Sequence, residues 1–207
     1  MTIDLCPFYS EIDLLLLRLN QHSFVDKFII WEFGMDFQGQ TKPLHFRDNI
    51  AKFDKFKDRI IYRQFDYLAG NNPFERAKSY RDVILPELRQ YNDFDVVLST
   101  DTDELIQNID DFTGAITAPE LRWYVYFMNY YAGVWVNGSL CTVRDLKDKS
   151  LYDLRYNHHH DRQKWKSELL KDSGWHFSWL GDHVVIKDKF RNFGEAEGWD
   201  KQLLDET

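Results

Sequence analysis

Three carboxylates fall within four residues at Asp101, Asp103 and Glu104, directly after the apolar run Val96-Val97-Leu98. Four or five β-forming residues closed by polar ones read as a buried strand, which puts the acids at its carboxyl end. In an open α/β sheet ligands bind at that end. Asp101 and Asp103 are two apart, so a turn can bring both to one hard divalent cation. Oxygen ligands of this kind suit Mg²⁺ or Mn²⁺ holding phosphate groups. The simpler alternative is an N-capping Asp and a first-turn Glu ahead of a helix from Leu105. Three acids exceed what capping requires, and the pattern points to a nucleotide-diphosphate site. Asp103 is the first choice as metal ligand, with Asp101 on the metal or the donor ribose. Glu104 either joins the site or favours the next helix's N-terminus.

The elements needed to position these acids follow from periodicity. Ile3 to Phe8 reads as a first strand, and Ile12, Leu15, Leu16 and Leu19 hold helical spacing up to His22. Asp26 to Trp31 is a second strand ending at Glu32, 34–44 a loop, Phe46 to Phe56 a helix, and Arg59 to Phe65 a third strand. One helix is expected over Asn71 to Asn92, starting near Pro73 and kinked or ended by Pro86, before the acid-bearing strand Asp95 to Ser99. Strands alternating with helices imply a mostly parallel, doubly wound, Rossmann-like sheet through residue 104. Beyond it, Leu121 to Tyr131 and Val134 to Val143 look extended, with a turn near Ala132-Gly133, and form an antiparallel, aromatic-rich addition. Arg162 to Lys171 reads as a helix and Trp175 to Leu180 as a strand. Asp182 to Phe190 fits either.

The chain of 207 residues is long enough for one domain with its own core, and its net charge of −8 argues against a nucleic-acid surface. No apolar run approaches the ~20 residues of a bilayer span, and no signal peptide is evident at the N-terminus, so a cytoplasmic location is expected. Cys6 and Cys141 read as small core residues.

Phe8-Tyr9-Ser10-Glu11-Ile12-Asp13 with the leucines that follow, Val25-Asp26-Lys27-Phe28-Ile29-Ile30-Trp31-Glu32, Lys42-Pro43-Leu44 and Gly174-Trp175-His176-Phe177-Ser178-Trp179 resemble glycosyltransferase family 17. The likeness runs from residue 8 to about residue 197. It implies a GT-A fold, a UDP-sugar donor (UDP-GlcNAc above others), Mn²⁺ or Mg²⁺, a carbohydrate acceptor and inversion at the anomeric carbon. Lys189, Phe193 and Glu197 match the end of the family pattern, whereas Glu195 stands where the family has His. The missing flanks and anchor of the Golgi enzymes favour a polysaccharide or small glycan as acceptor.

Inverting transfer needs a carboxylate to deprotonate the acceptor hydroxyl while the leaving diphosphate is stabilised. The candidates are Glu104, Glu120, Asp182, Glu195 and Glu197, with Glu120 projecting after Pro119 and a short strand. His176 is either a hydrogen-bonded core residue or, by the family likeness, a metal ligand. The run His158-His159-His160 reads as an exposed loop, since consecutive side chains diverge. Glu32 is placed to contact the uridine or ribose. Arg76 and Arg81 lie about 140° apart on a helix, so one faces the donor, and the family pattern favours Arg81. Lys189 can neutralise the diphosphate. Rings of Trp123, Tyr124, Tyr126, Tyr130, Tyr131 and Trp135 offer faces for a pyranose, although alternation sends at least half into the core. A phosphohydrolase or nucleotidyltransferase also uses paired Asp with Mg²⁺, but the Gly-rich basic loop of a nucleotidyltransferase is absent after the first strand, and an aspartate-nucleophile phosphatase carries its acids on the first strand and not the fourth. A non-catalytic sugar-binding descendant is the remaining alternative.

Overall fold

A computed structural model describes residues 1–160 and 167–192. Strands β1 (Thr2–Pro7), β2 (Lys27–Phe33), β3 (Ile60–Phe65) and β4 (Val96–Ser99) pair in parallel in the order β3-β2-β1-β4, which is the expected Rossmann-like half. In β2 every residue from Phe28 to Phe33 is buried, the mark of a strand covered on both faces. One layer packs Ile3, Leu5, Ile29, Trp31 and Val97, and the other packs Cys6, Phe28 and Ile30 against Leu15 and Leu19 of helix α1 (Ile12–Gln21). Cys6 and Cys141 are both buried and free, and burial pushes the Cys6 thiol up to about 12.

The sheet then changes sense. After helices α2 (His45–Asp48) and α3 (Pro73–Asp82), the chain adds β5 (Glu104–Ile106), β6 (Thr117–Val125), β7 (Tyr131–Val136), β8 (Ser139–Thr142) and, beyond helix α4 (Leu151–His160), β9 (Glu168–Ser178) and helix α5 (His183–Asn192). β8 runs antiparallel to β4, and the order continues β8-β6-β9-β5 with β7 along the other part of β6. The mixed α/β sheet flanked by helices is the one expected. Among the described residues no helix is long and apolar enough to cross a membrane.

Several local expectations are corrected. Residues from Leu105 extend as β5 instead of starting a helix, because their ladder partners are Trp175 and Gly174 of β9. The helix expected over Phe46 to Phe56 splits into α2 and a 3₁₀ segment Ile50–Phe56, where the Asn49 side chain donates to the His45 carbonyl at 2.9 Å in competition with the helix ladder. The long helix around Pro86 is likewise two pieces, α3 and a 3₁₀ segment Leu85–Gln90, with the Asn72 side chain capping α3 at the Glu75 amide. The hairpin turn falls between Val125 and Tyr131, not at Ala132-Gly133, and the second extended run is broken by Asn137-Gly138, where Gly138 has φ +72°. Residues 168–171 belong to β9 and not to a helix; 162–166 lie outside the described residues. Asp182 to Phe190 resolves in favour of helix α5. His158 sits in α4, only 1% exposed, rather than in a loop, with Nδ1 2.6 Å from the Gly138 carbonyl and Nε2 2.6 Å from Ser167 Oγ.

Candidate active site

The strand order reverses between β1 and β4: the chain leaves β1 toward β2 and β3, then returns to place β4 on the other side. Ligands of open α/β sheets bind in the crevice that opens at such a switch point. Glu11 follows β1 there, and residues 101–104 follow β4. The 101–104 segment is a closed turn, with the Glu104 amide donating to the Asp101 carbonyl at 3.0 Å.

The three acids of the turn meet different partners. Asp101 is gripped by two guanidiniums: Arg81 donates from Nη1 and Nη2 at 2.6 and 3.0 Å, and Arg155 Nη2 lies 2.6 Å from Oδ2. Burial alone raises its pKa, but Arg155 and Arg81 more than offset this and hold it well below the usual carboxylate range. Asp103 faces Lys189 Nζ at 3.5 Å and His176 Nε2 at 3.6 Å. Burial again opposes its charge, yet Lys189 and His176 bring it down to about 2. Lys189 also reaches Glu11 Oε1 at 3.2 Å; the two carboxylates outweigh its burial and raise its pKa. Glu104 is fully buried. Its Oε1 accepts from Trp135 Nε1 and Arg155 Nη2, both at 2.8 Å, and its Oε2 from Arg155 Nη1 at 2.8 Å and the Asp101 amide at 2.9 Å. Four donors fill the positions a carboxylate offers, so Glu104 braces the turn.

His176 of β9 stands opposite Glu104 in the ladder and stacks between the site and two indoles, 4.8 Å from the Trp135 ring and 6.4 Å from Trp123. Its Nδ1 is buried and has no hydrogen-bond partner among the described residues. The aromatic stripe is divided by the sheet. Trp123 and Trp135 share the face of His176, while Tyr124 packs on Tyr131 and Phe177 on the other face. Tyr126, Tyr130 and Tyr131 are more than 45% exposed around the hairpin turn.

The remaining predicted residues are distributed as follows. Arg81 pairs with Asp101 and Lys189 with Asp103, so both predicted cations lie beside the acidic turn. Glu32 is buried, with Oε1 accepting from the Arg47 amide (2.9 Å) and the Tyr62 hydroxyl (2.7 Å) and Oε2 from the Phe46 amide (3.2 Å), so it holds the start of α2. Arg76 turns away to the Phe37 carbonyl. Glu120 shares a β6 face with Arg122, beside Asp172, and that face is opposite the one bearing Trp123 and the acid cluster. Asp182 caps α5 at the Val184 and Val185 amides. Glu195 and Glu197 lie outside the described residues.

Two arginines escaped the sequence reading. Arg155 lies in a stretch to which no element was assigned, just before the histidine run read as loop, yet Leu151, Leu154, Arg155 and His158 follow the i, i+3, i+4, i+7 spacing of an inward helix face. Arg18 occupies the buried stripe of α1 between Leu15 and Leu19, where a cation signals a hidden anionic partner.

No group of three or more metal-ligating side chains occurs among the described residues. Asp103 and His176 nonetheless fit two places of a cation site. Their 3.6 Å separation is too long for a hydrogen bond, and two ligands each about 2.1 Å from one ion lie between about 3 and 4.2 Å apart. Asp101, held by two guanidiniums, does not fit in this arrangement.

Glycosyltransferase family 17 matches residues 2–196 of the sequence. Structural comparison finds a likeness to a crystal structure of an active-site mutant of LgtC, at 11% identity and a TM-score of 0.35 over 80% of this chain. The chain spans 65% of the length of that structure. No curated protein matches the chain.

Proposed function

From the membership of this chain in glycosyltransferase family 17, we propose that its reaction is transfer of a sugar, GlcNAc in the first instance, from a UDP-linked donor to a hydroxyl of a glycan, with inversion. The observation that carries this reading is the convergence of Arg81, Arg155 and Lys189 on the acidic turn at the sheet's switch point. Guanidinium and ammonium groups in a partly buried crevice are the donors that a diphosphate needs, and charge developing on a leaving diphosphate is what such donors stabilise. Asp103 and His176 would hold a divalent cation, which when bound adds Lewis-acid stabilisation of the leaving group. Arg81 and Arg155 occupy Asp101 until an anionic ligand competes for them, so donor binding exchanges a carboxylate for phosphate oxygens. Trp123 and Trp135, on the same face, supply apolar surface on which a pyranose packs. In this scheme Glu104 and Glu32 keep the framework in place without touching substrate.

Titration with UDP, UDP-GlcNAc and UDP-glucose, each with Mn²⁺, Mg²⁺ or excess EDTA, tests the proposal. UDP should raise the melting temperature, and more so with a divalent cation, because binding to the folded state alone stabilises it. An equal shift in EDTA removes the metal from the proposal, and no shift under any condition removes the UDP donor. A larger effect of UDP-glucose than of UDP-GlcNAc reassigns the sugar.

A further inference from the structure

We propose that Arg18 is a positioning residue that holds the acidic turn from beneath and thereby sets the spacing of Asp101 and Asp103. Its relevance to transfer rests on the diphosphate reading of that turn; its hold on the backbone does not. A guanidinium has five N–H donors in one plane, and Arg18 commits all five. Nε and Nη2 bind the two oxygens of Asp4 at 3.0 and 2.6 Å, and Nη2 also donates to Thr100 Oγ1 at 2.7 Å. Nη1 donates to the carbonyls of Asp101 (2.6 Å) and Glu104 (2.7 Å), the first and last residues of the turn. A salt bridge with Asp4 needs only two of the five; the other three all go to the segment 100–104.

The anion end of the pair is tied to the same segment. Asp4 Oδ2 lies 2.7 Å from His22 Nδ1, and His22 Nε2 accepts from the Ile106 amide at 2.9 Å. Since Nε2 is an acceptor, the ring is neutral and Nδ1 carries the proton donated to Asp4. Asp4, Arg18 and His22 are all fully buried, so none of them touches a substrate. The network reaches the chain before the turn at Thr100, at both ends of it, and after it at Ile106. From the other side Glu104 closes the loop through the Asp101 amide. Lysine cannot replace Arg18 in this arrangement, because its three donors do not form a planar fork.

The test compares the double variant Asp4→Leu/Arg18→Met, the single variant Arg18→Lys and a control, Leu19→Ala, which damages the same helix without touching the turn. Replacing both members avoids leaving one buried charge without its counter-ion, although His22 Nδ1 and the turn carbonyls lose their partners, and Arg18→Lys provides a second route should the double variant fail to fold. Two quantities are read: amide hydrogen exchange of residues 101–106, and affinity for UDP with Mn²⁺. The Arg18 variants should exchange faster in this segment than elsewhere in the sheet and bind UDP about 10-fold or more weakly, the scale of losing a supporting partner of a ligand group. Leu19→Ala should lose stability while retaining both at a temperature where it is folded. Unchanged exchange at 101–106 in a folded Arg18 variant overturns the proposal, as does an equal change in Leu19→Ala. If the wild-type protein binds no UDP, the donor reading fails while the exchange measurement still decides on Arg18.

Discussion

Replacing Glu104 with glutamine tests whether this acid is a brace or a base. The side chain is wholly buried and accepts four hydrogen bonds, two at each oxygen. An amide can be inserted in two orientations. In one its NH₂ group faces Trp135 Nε1 and Arg155 Nη2; in the other it faces the Asp101 amide and Arg155 Nη1. Either way two donors lose their acceptor and meet another donor, and Arg155 loses one of its two counter-charges. Removing one member of a buried pair costs about 3–5 kcal/mol. Arg155 retains Asp101, so the lower end applies, about 3 kcal/mol. For a chain of this length that corresponds to a fall of about 6–12 °C in melting temperature. Urea unfolding and a thermal scan at neutral pH measure it. The carboxylate is ionised there, because Arg155 outweighs the effect of burial and lowers its pKa. A Glu104→Gln protein within about 1 kcal/mol of wild type that has lost sugar transfer would refute the argument, since a free carboxylate acting on substrate behaves in that way.

Three further outcomes follow from single contacts. Burial and Arg18 lower the pKa of His22 below 6.5, so the unfolded chain binds a proton that the folded one refuses. The stability this provides is complete above pH 6.5 and falls below it by up to about 1.4 kcal/mol per pH unit; urea titrations at pH 7.5 and 5.5 should show that His22→Asn loses this part of the slope. A methyl group at Gly174 would lie inside the van der Waals envelope of the Leu105 carbonyl oxygen, where β9 crosses β5, so Gly174→Ala should cost about 3 kcal/mol or more in an unfolding titration. Glu120 projects from the sheet face opposite the acid cluster, so Glu120→Gln should turn over donor at the wild-type rate, and a large loss in a steady-state assay would place the acceptor on that face.

The parallel half of the fold was legible because buried strands and amphipathic helices leave their period in the sequence. Asp101 and Asp103 stood out for a different reason, as a dense group of acids at the end of an apolar run, whereas Arg81 and Lys189, on helices α3 and α5, were singled out only by the family resemblance. The second half was harder to read. Residues 168–171, Glu-Leu-Leu-Lys, are all good helix formers, and only pairing with β6 across about fifty residues of chain makes them a strand. Leu105 looked like the start of a helix because nothing local reports that β9 lies alongside it.

Arg18 and Arg155 show what a helical stripe can and cannot report. On α1 the buried face is Leu15, Arg18 and Leu19, with His22 buried at its C-cap, and on α4 the inward face is Leu151, Leu154, the part-buried Arg155 and His158. Each helix therefore places an arginine and, one further turn along, a histidine on a stripe that should be apolar. Such a cation is tolerable only where carboxylates or carbonyls await it. The local signal thus shows that each arginine has an anionic partner inside the protein. It cannot show that Arg18 and Arg155 approach the same four-residue turn from opposite sides, for that depends on β1, β4 and β5 being neighbours in space. Three acids so close together in sequence repel one another, and this turn is held in one shape because each of them faces a cation: Asp101 with Arg81, Asp103 with Lys189, Glu104 with Arg155, which also bridges to Asp101, and the backbone beneath them with Arg18.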